Sequence, residues 1–117
     1  MASRLSARRW MTRAELFAML EQGRRVLEEA PANHPVEAAA EAATLSLYHF
    51  TRQFRAAYGE TPKEFHRRCL VGRAQTMLRE GGRVGEVAIE LGFAGPATFS
   101  RMIRRETGRS PRALQAG

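Results

Sequence analysis

The sequence lacks the residues on which several classes of protein depend. Cys69 is the only cysteine in 117 residues, which excludes an intramolecular disulfide and a zinc site built on several cysteines. The three histidines, His34, His49 and His66, lie at no spacing typical of a metal site. The apolar run at 16–20 is too short for a signal-peptide core or a membrane span. We therefore expect a soluble cytoplasmic protein without a membrane segment, metal, cofactor or catalytic residues.

Aspartate is also absent, and Lys63 is the only lysine, so arginine carries nearly all of the positive charge. The 19 basic residues exceed the 12 acidic ones, for a net charge of +7. Most of this surplus lies after residue 60. Arginine stays charged at any working pH, and its planar donors suit phosphates and guanine edges. The balance favours nucleic acid, an anionic membrane surface or an acidic protein as the partner; the alternative is a domain that is simply basic.

Capping residues, prolines and glycines divide the chain into short helices. Thr12 and Glu15 form a capping box before a helix that carries Leu16, Leu20 and Leu27 on one face. Further helix starts are predicted at Pro35, Ser46, Thr61-Pro62, Pro96 and Ser110-Pro111, and helix ends at Gly59, Gly81-Gly82 and Gly108. No segment shows sustained alternation of apolar and polar residues, so we predict an all-α fold. Its length suits one domain or two small helical lobes.

The second half of the chain repeats the pattern of the first. At an offset of 49 positions, Phe50, Thr51, Arg52, Phe54 and Arg55 match Phe99, Ser100, Arg101, Ile103 and Arg104. Upstream the offset is 48, so the second copy gains one residue between its two helices. Each copy has the plan of a helix-turn-helix unit, and the alternative is two unrelated helical hairpins of similar pattern.

The second helix of each copy has an arginine-bearing outer face. On a helical wheel Phe50 and Phe54, joined by Leu47 and Ala57, form a buried arc in the first copy, as Phe99 and Ile103 do in the second. The opposite arcs hold Tyr48, Thr51, Arg52 and Arg55, and then Ala97, Ser100, Arg101 and Arg104. Neither arc contains an acid, which favours a major-groove surface over a merely solvated face.

Ordered motifs over about residues 32–115 resemble the DNA-binding region of the AraC/XylS family of transcription regulators. They are Leu45-Ser46, Phe50-Thr51-Arg52-Gln53-Phe54, Gly59-Glu60-Thr61-Pro62, Val87-Ala88-Ile89-Glu90-Leu91-Gly92-Phe93, Phe99-Ser100-Arg101 and Gly108-Arg109-Ser110-Pro111. The resemblance implies two helix-turn-helix subdomains joined by a long helix over 62–78. With it we expect an arm and helix at 1–31, a first unit at 32–61, a linking segment at 62–80, and a second unit with a C-terminal helix at 81–117.

The resemblance also implies double-stranded DNA as the partner, with two helices in successive major grooves, and RNA polymerase as a candidate protein partner. The residues expected to read bases are Tyr48, Thr51, Arg52, Ala97, Thr98, Ser100 and Arg101. The residues expected to contact phosphates are Ser46, Arg55, Lys63, Arg104, Arg105 and Arg112. The chain would act as a monomer, or as a dimer through the N-terminal helix, whose leucines could instead dock on the first unit.

Four positions depart from the family pattern. Thr44 stands where glycine is usual in the first turn, so that turn would differ or be strained. Leu70 replaces a basic residue, which would remove a phosphate contact, and Pro96-Ala97 replaces polar residues at the start of the second reading helix. These departures motivate an alternative function, a protein-interaction module (anti-activator or co-regulator) that does not read DNA sequence. Catalysis has little support, because no His, Glu, Cys or Ser set shows a recognisable spacing.

Overall fold

The structure is a computed structural model that describes residues 11–116, and within that range it contains seven helices and no strand. The helices are α1 (Arg13–Glu29), α2 (Pro35–Ala42), α3 (Leu47–Tyr58), α4 (Pro62–Arg79), α5 (Val84–Glu90), α6 (Pro96–Thr107) and α7 (Pro111–Ala116). The all-α prediction is confirmed. Of the predicted arm and helix at 1–31, residues 1–10 lie outside the described residues.

The helices begin and end at the residues that the sequence indicates. Thr12 accepts a hydrogen bond from the Glu15 amide, and the Glu15 carboxylate accepts one from the Thr12 amide, so both ends of the capping box are made. Thr61 and Glu64 do the same for α4. Helices α3 and α6 end at glycines in the left-handed region, with φ of 81° at Gly59 and 76° at Gly108.

Helices α2 and α3 form the first helix-turn-helix unit, and α1 packs against it. Leu20 and Leu27 are 2% and 0% exposed and share a core with Phe50, Phe54 and the alanines of α2. The leucine stripe of α1 therefore docks on the first unit of its own chain. Because these side chains are buried internally, they are not available to a second copy.

Helices α5 and α6 form the second unit, whose core is completed by α4 and α7. Leu70, Ala74 and Leu78 of α4 are buried in this core, whereas Phe65, near the start of the same helix, lies in the first core. One helix therefore contributes to both units. Leu70 is 4% exposed, so this position faces apolar side chains and not a phosphate. The expectation that a basic residue has been lost from the DNA surface here is wrong.

The two turns share their hydrogen bonds and differ by one residue in length. Leu45 N–H donates to Ala40 O in the first turn, and Phe93 N–H donates to Ala88 O in the second, at an offset of 48. The turns span 43–46 and 91–95, which confirms the added residue. Thr44 adopts φ of 57°, so the first turn keeps the left-handed conformation and places a β-branched residue in it.

Candidate nucleic-acid interface

Helix α3 presents Tyr48 and Arg52 together to solvent. Tyr48 is 62% exposed, and the Arg52 guanidinium donates to the Tyr48 hydroxyl over 2.6 Å. Its Cζ atom also lies 5.5 Å from the centre of the Tyr48 ring, within range of a cation–π contact. Thr51 is half-buried beside them. Both contacts place the guanidinium against the tyrosine on the outer face of the helix.

Ser46 is placed at the start of this helix, where it acts as the N-cap. Its hydroxyl oxygen accepts a hydrogen bond from the His49 amide over 3.1 Å and lies 2.8 Å from Nδ1 of the His49 ring. The hydroxyl is exposed at the positive end of the helix dipole, a position that suits an anion. Ser46 thus has an intramolecular role in addition to the phosphate contact predicted for it.

Helix α6 presents the equivalent face of the second unit. Ala97, Thr98 and Arg101 are exposed, and Ser100 is half-buried, as Thr51 is at the matching position of the repeat. Arg101 Nη2 lies 3.5 Å from the Thr98 hydroxyl, a longer contact than the one that holds Arg52. The N-cap, Gly95, has no side chain to cap the helix. Arg101 therefore occupies the position on α6 that Arg52 occupies on α3, but its contact with a neighbouring side chain is longer.

The other predicted phosphate contacts are exposed. They are Arg55, Lys63, Arg104, Arg105 and Arg112. Among them, Arg105 lies 3.4 Å from Glu106, which also lies 3.6 Å from Arg67 of α4. Within residues 11–116, Arg52, Arg55, Arg101 and Arg104 form no ion pair, whereas Arg24 and Arg68 pair with glutamates on other faces. The outer faces of α3 and α6 thus carry positive charge outside any ion pair. Arg55 acts at longer range on Glu64, whose pKa is lowered first by its hydrogen bonds with Thr61 and further by this arginine.

A cleft of about 690 Å³ separates the two units, and the sequence did not predict it. Leu47 and Thr51 of α3 line one side and Met102 of α6 the other, with Lys63 at the start of α4 between them. Leu47 was expected to be buried but is 48% exposed, and Ala57 is exposed too. Leu47 lines the cleft, and Ala57 is exposed although its neighbour Tyr58 contacts Phe17 and Glu21 of α1. No periodicity signals the cleft, because it depends on the relative orientation of the two units.

The buried histidine is His66, which is 4% exposed on α4. Its Nε2 lies 3.0 Å from Ala30 O, to which the neutral ring donates a hydrogen bond. Burial lowers the pKa of His66, so the ring is neutral near pH 7.

In the described part of the chain no group of three or more His, Cys, Asp or Glu side chains could hold a metal ion. None of the helices between residues 11 and 116 is long and apolar enough to cross a membrane.

The chain resembles known proteins in both sequence and structure. A family of helix-turn-helix domains matches residues 39–117. The transcriptional activator RhaS of Escherichia fergusonii is 37% identical over 82 residues, which cover 69% of this chain and 30% of RhaS; RhaS of Salmonella arizonae matches to the same extent. The chain therefore spans less than a third of the length of these curated relatives.

Solved structures of similar fold cover most of the chain. The DNA-binding domain of AdpA, solved in complex with a target DNA, is 32% identical with a TM-score of 0.67, covering 86% of this chain and 89% of that one. The C-terminal domain of the response regulator AraT from Geobacillus stearothermophilus has a TM-score of 0.76 at 17% identity, covers 84% of each chain, and shows the shared fold alone. The chain has two helix-turn-helix units on one linking helix, and its sequence matches these relatives. It therefore belongs to the AraC/XylS family of transcription regulators.

Proposed function

We propose that this chain binds double-stranded DNA in a sequence-specific manner and regulates transcription, with α3 and α6 in successive major grooves. The observation that carries the proposal is the pair Arg52 and Arg101. These arginines occupy matching positions of the repeat, both are exposed, and neither forms an ion pair within residues 11–116. An arginine on a major-groove helix can bond both guanine O6 and N7.

The dimensions of the molecule agree with two-groove binding. Successive major grooves on one face of B-DNA lie about 34 Å apart. The longest principal extent of the protein is 55 Å, enough to carry two recognition helices at that separation. One chain supplies both helices, so two grooves can be read without a dimer.

We assign base reading to Tyr48, Thr51 and Arg52 in the first groove and to Ala97, Thr98, Ser100 and Arg101 in the second. Phosphate contacts are assigned to Ser46, Arg55, Lys63, Arg104, Arg105 and Arg112. The solved complex of AdpA with its target DNA and the activator role of RhaS support DNA binding and transcription regulation. The residue assignment rests on the exposed faces of α3 and α6. Because Arg52 is held by Tyr48 while Ala97 offers only a methyl group, we expect the first unit to contribute more base discrimination.

The experiment that tests the function is selection from random duplexes at moderate salt, followed by sequencing of the bound fraction. We expect a bipartite motif whose halves are about one helical turn apart. Affinity for the selected site should fall steeply with salt, by about 10³-fold or more from about 50 to 200 mM if six phosphates are contacted. Recovery of no enriched motif would refute sequence-specific binding.

Replacement of Arg52 tests the base-reading assignment. We expect Arg52→Ala to weaken binding to the selected site by about 1–3 kcal/mol and to relax the preference for the base that it contacts. The matched control is Arg112→Ala, an exposed arginine assigned to phosphate, which should weaken selected and random duplexes alike. Titrations of both variants on both duplexes give the comparison. An equal loss on both duplexes for Arg52→Ala would show that this arginine does not read sequence.

The departures that motivated a protein-interaction module no longer favour it. Thr44 keeps the left-handed turn, and Leu70 belongs to the second core and not to the surface. Pro96 and Ala97 remain as replaced polar residues at the start of α6, and both are exposed. The random-duplex selection separates the two functions, since an interaction module would return no motif while remaining folded.

A further inference from the structure

The segment at 30–34 between α1 and α2, here termed the α1–α2 connection, contacts the second unit. Ala32 N–H donates to Leu91 O over 2.9 Å, across the boundary between the two units. A Cβ atom on Gly92 would lie 2.7 Å from Pro31 Cβ and 3.1 Å from Ala32 N. Ala32 is also packed against the second core. The connection therefore belongs in sequence to the first unit but rests on the turn of the second.

Helix α4 holds the same connection from its other side. The Arg73 guanidinium donates to Glu29 O over 2.9 Å and to Ala30 O over 2.6 Å, and His66 also bonds Ala30 O. These carbonyls belong to the last residue of α1 and to its C-cap, and the helix has no basic residue in its own final turn. The end of α1 is thus fixed to α4, and the residues after it are fixed to the second turn.

The repeat shows why residue 92 is glycine. Thr44 occupies the equivalent position in the first turn at φ of 57°, so the turn itself accepts a side chain there. Gly92, at φ of 88°, lies so close to Pro31 and Ala32 that a Cβ atom on it would overlap with them. The close approach of the connection, and not the turn conformation, therefore excludes a side chain at position 92.

We propose that the α1–α2 connection is a clasp that sets the distance and angle between α3 and α6, with Gly92 and Arg73 as its positioning residues. Helix α4 already joins the two units, because it contributes to both cores. The clasp adds a second connection, between Ala32 and Leu91. Its consequence for DNA rests on the proposed function: the clasp determines which spacing of two half-sites the protein accepts. A Cβ at 2.7 Å from Pro31 must retreat by at least 0.7 Å to reach the 3.4 Å of ordinary contact. We expect this retreat to change the angle between the two units.

A distance measurement without DNA tests the clasp directly. Spin labels at the exposed positions Ala57→Cys and Glu90→Cys, in a Cys69→Ser background, report the separation of the two units by pulsed electron paramagnetic resonance. Gly92→Ala should shift or broaden the distance distribution relative to the parent. The matched control is Gly81→Ala, a glycine at φ of 94° with no atom within 4 Å of its Cβ, which carries similar backbone strain and should leave the distribution unchanged.

A second variant keeps the test valid if Gly92→Ala does not fold. Arg73→Met retains the aliphatic stem and removes both donors to α1, and it should also broaden the distribution. A folded variant at either position, with the helix content of the parent and an unchanged distance distribution, would overturn the clasp.

The DNA consequence is measured with the selected site and with versions lengthened or shortened by one base pair between the half-sites. We expect the parent to prefer its own spacing by about tenfold or more, equivalent to about 1.4 kcal/mol, and Gly92→Ala to lose most of that preference. Gly81→Ala should retain it. If the parent binds no duplex, the proposed function fails while the distance measurement still decides the clasp. A changed distance with an unchanged spacing preference would refute the consequence for DNA.

Discussion

Gly23 in the middle of α1 gives the sharpest test of how the first core is built. In an exposed helix interior, replacing glycine by alanine stabilises by about 1 kcal/mol, because glycine loses more backbone entropy on folding. Sequence reasoning alone would therefore predict that Gly23→Ala strengthens the helix. The structure predicts the opposite sign.

A Cβ atom at Gly23 would lie 2.4 Å from Phe50 Cε1, 2.6 Å from Phe50 Cζ and 2.9 Å from Ala39 O. Phe50 is 0% exposed, and its ring is 5.5 Å from that of Phe54, so it cannot move away without disturbing the core. The other contact is a backbone oxygen of α2. Overpacking of this kind costs about 1–3 kcal/mol and sometimes more. Because all three contacts are shorter than 3.0 Å and one is to a backbone oxygen, we take the upper part of this range, about 2–3 kcal/mol. After the propensity gain of about 1 kcal/mol is subtracted, we expect Gly23→Ala to lower the free energy of unfolding by about 1–2 kcal/mol.

The control is the same substitution on the linking helix. Gly72 is exposed in the interior of α4, and no atom lies within 4 Å of its Cβ position, so Gly72→Ala should stabilise by about 0.5–1 kcal/mol. Urea unfolding followed by circular dichroism measures both variants, with the slope checked for constancy. If Gly23→Ala raised the free energy of unfolding as Gly72→Ala does, the close approach of α1 to α3 would be wrong.

Two further predictions concern local interactions. The hydrogen bond from Arg24, together with one from the Tyr58 hydroxyl, lowers the pKa of Glu21 to about 2. The Glu21 carboxylate therefore stabilises the fold fully above its unfolded pKa near 4.5, and this contribution is lost as the pH falls towards 2. Glu21→Gln should therefore flatten the acid limb of a plot of unfolding free energy against pH between about 4.5 and 2, and an acid limb as steep as that of the parent would refute it. Thr61→Ala should lower the free energy of unfolding by about 1 kcal/mol, since it removes the oxygen that accepts from the Glu64 amide over 3.1 Å; a loss near zero in urea unfolding would count against the cap.

The ends of the helices and the repeat could be predicted because they depend on neighbours in sequence. A capping box at Thr12, a proline at the first turn of α4 and glycines after α3 and α6 act within about four residues. The extra residue in the second turn follows from the change of offset alone. Exposure of Arg52 and Arg101 follows from the wheel, since Phe50 and Phe99 fix which face is buried.

The sequence predicted which helix faces form the candidate site, but not the exposure of every residue on those helices or the contacts between their side chains. The wheel placed Leu47 and Ala57 in the core although both are exposed, because it gives the angle of a residue but not how much of the helix surface its neighbours cover. It also did not predict that Tyr48 holds Arg52, since two neighbours on one face, four residues apart, can point apart or together.

What the amino-acid sequence by itself determined is the set of helices, their order in two related units and the arginine-bearing faces, all of which follow from short-range spacing. Only the tertiary structure decided what covers each apolar face: α1 docks on the first unit, and Leu70 lies in the second core. It also decided that the α1–α2 connection rests on Gly92. The physical reason is that apolar burial is not directional, so a stripe of leucines shows that a face is covered but not by which partner.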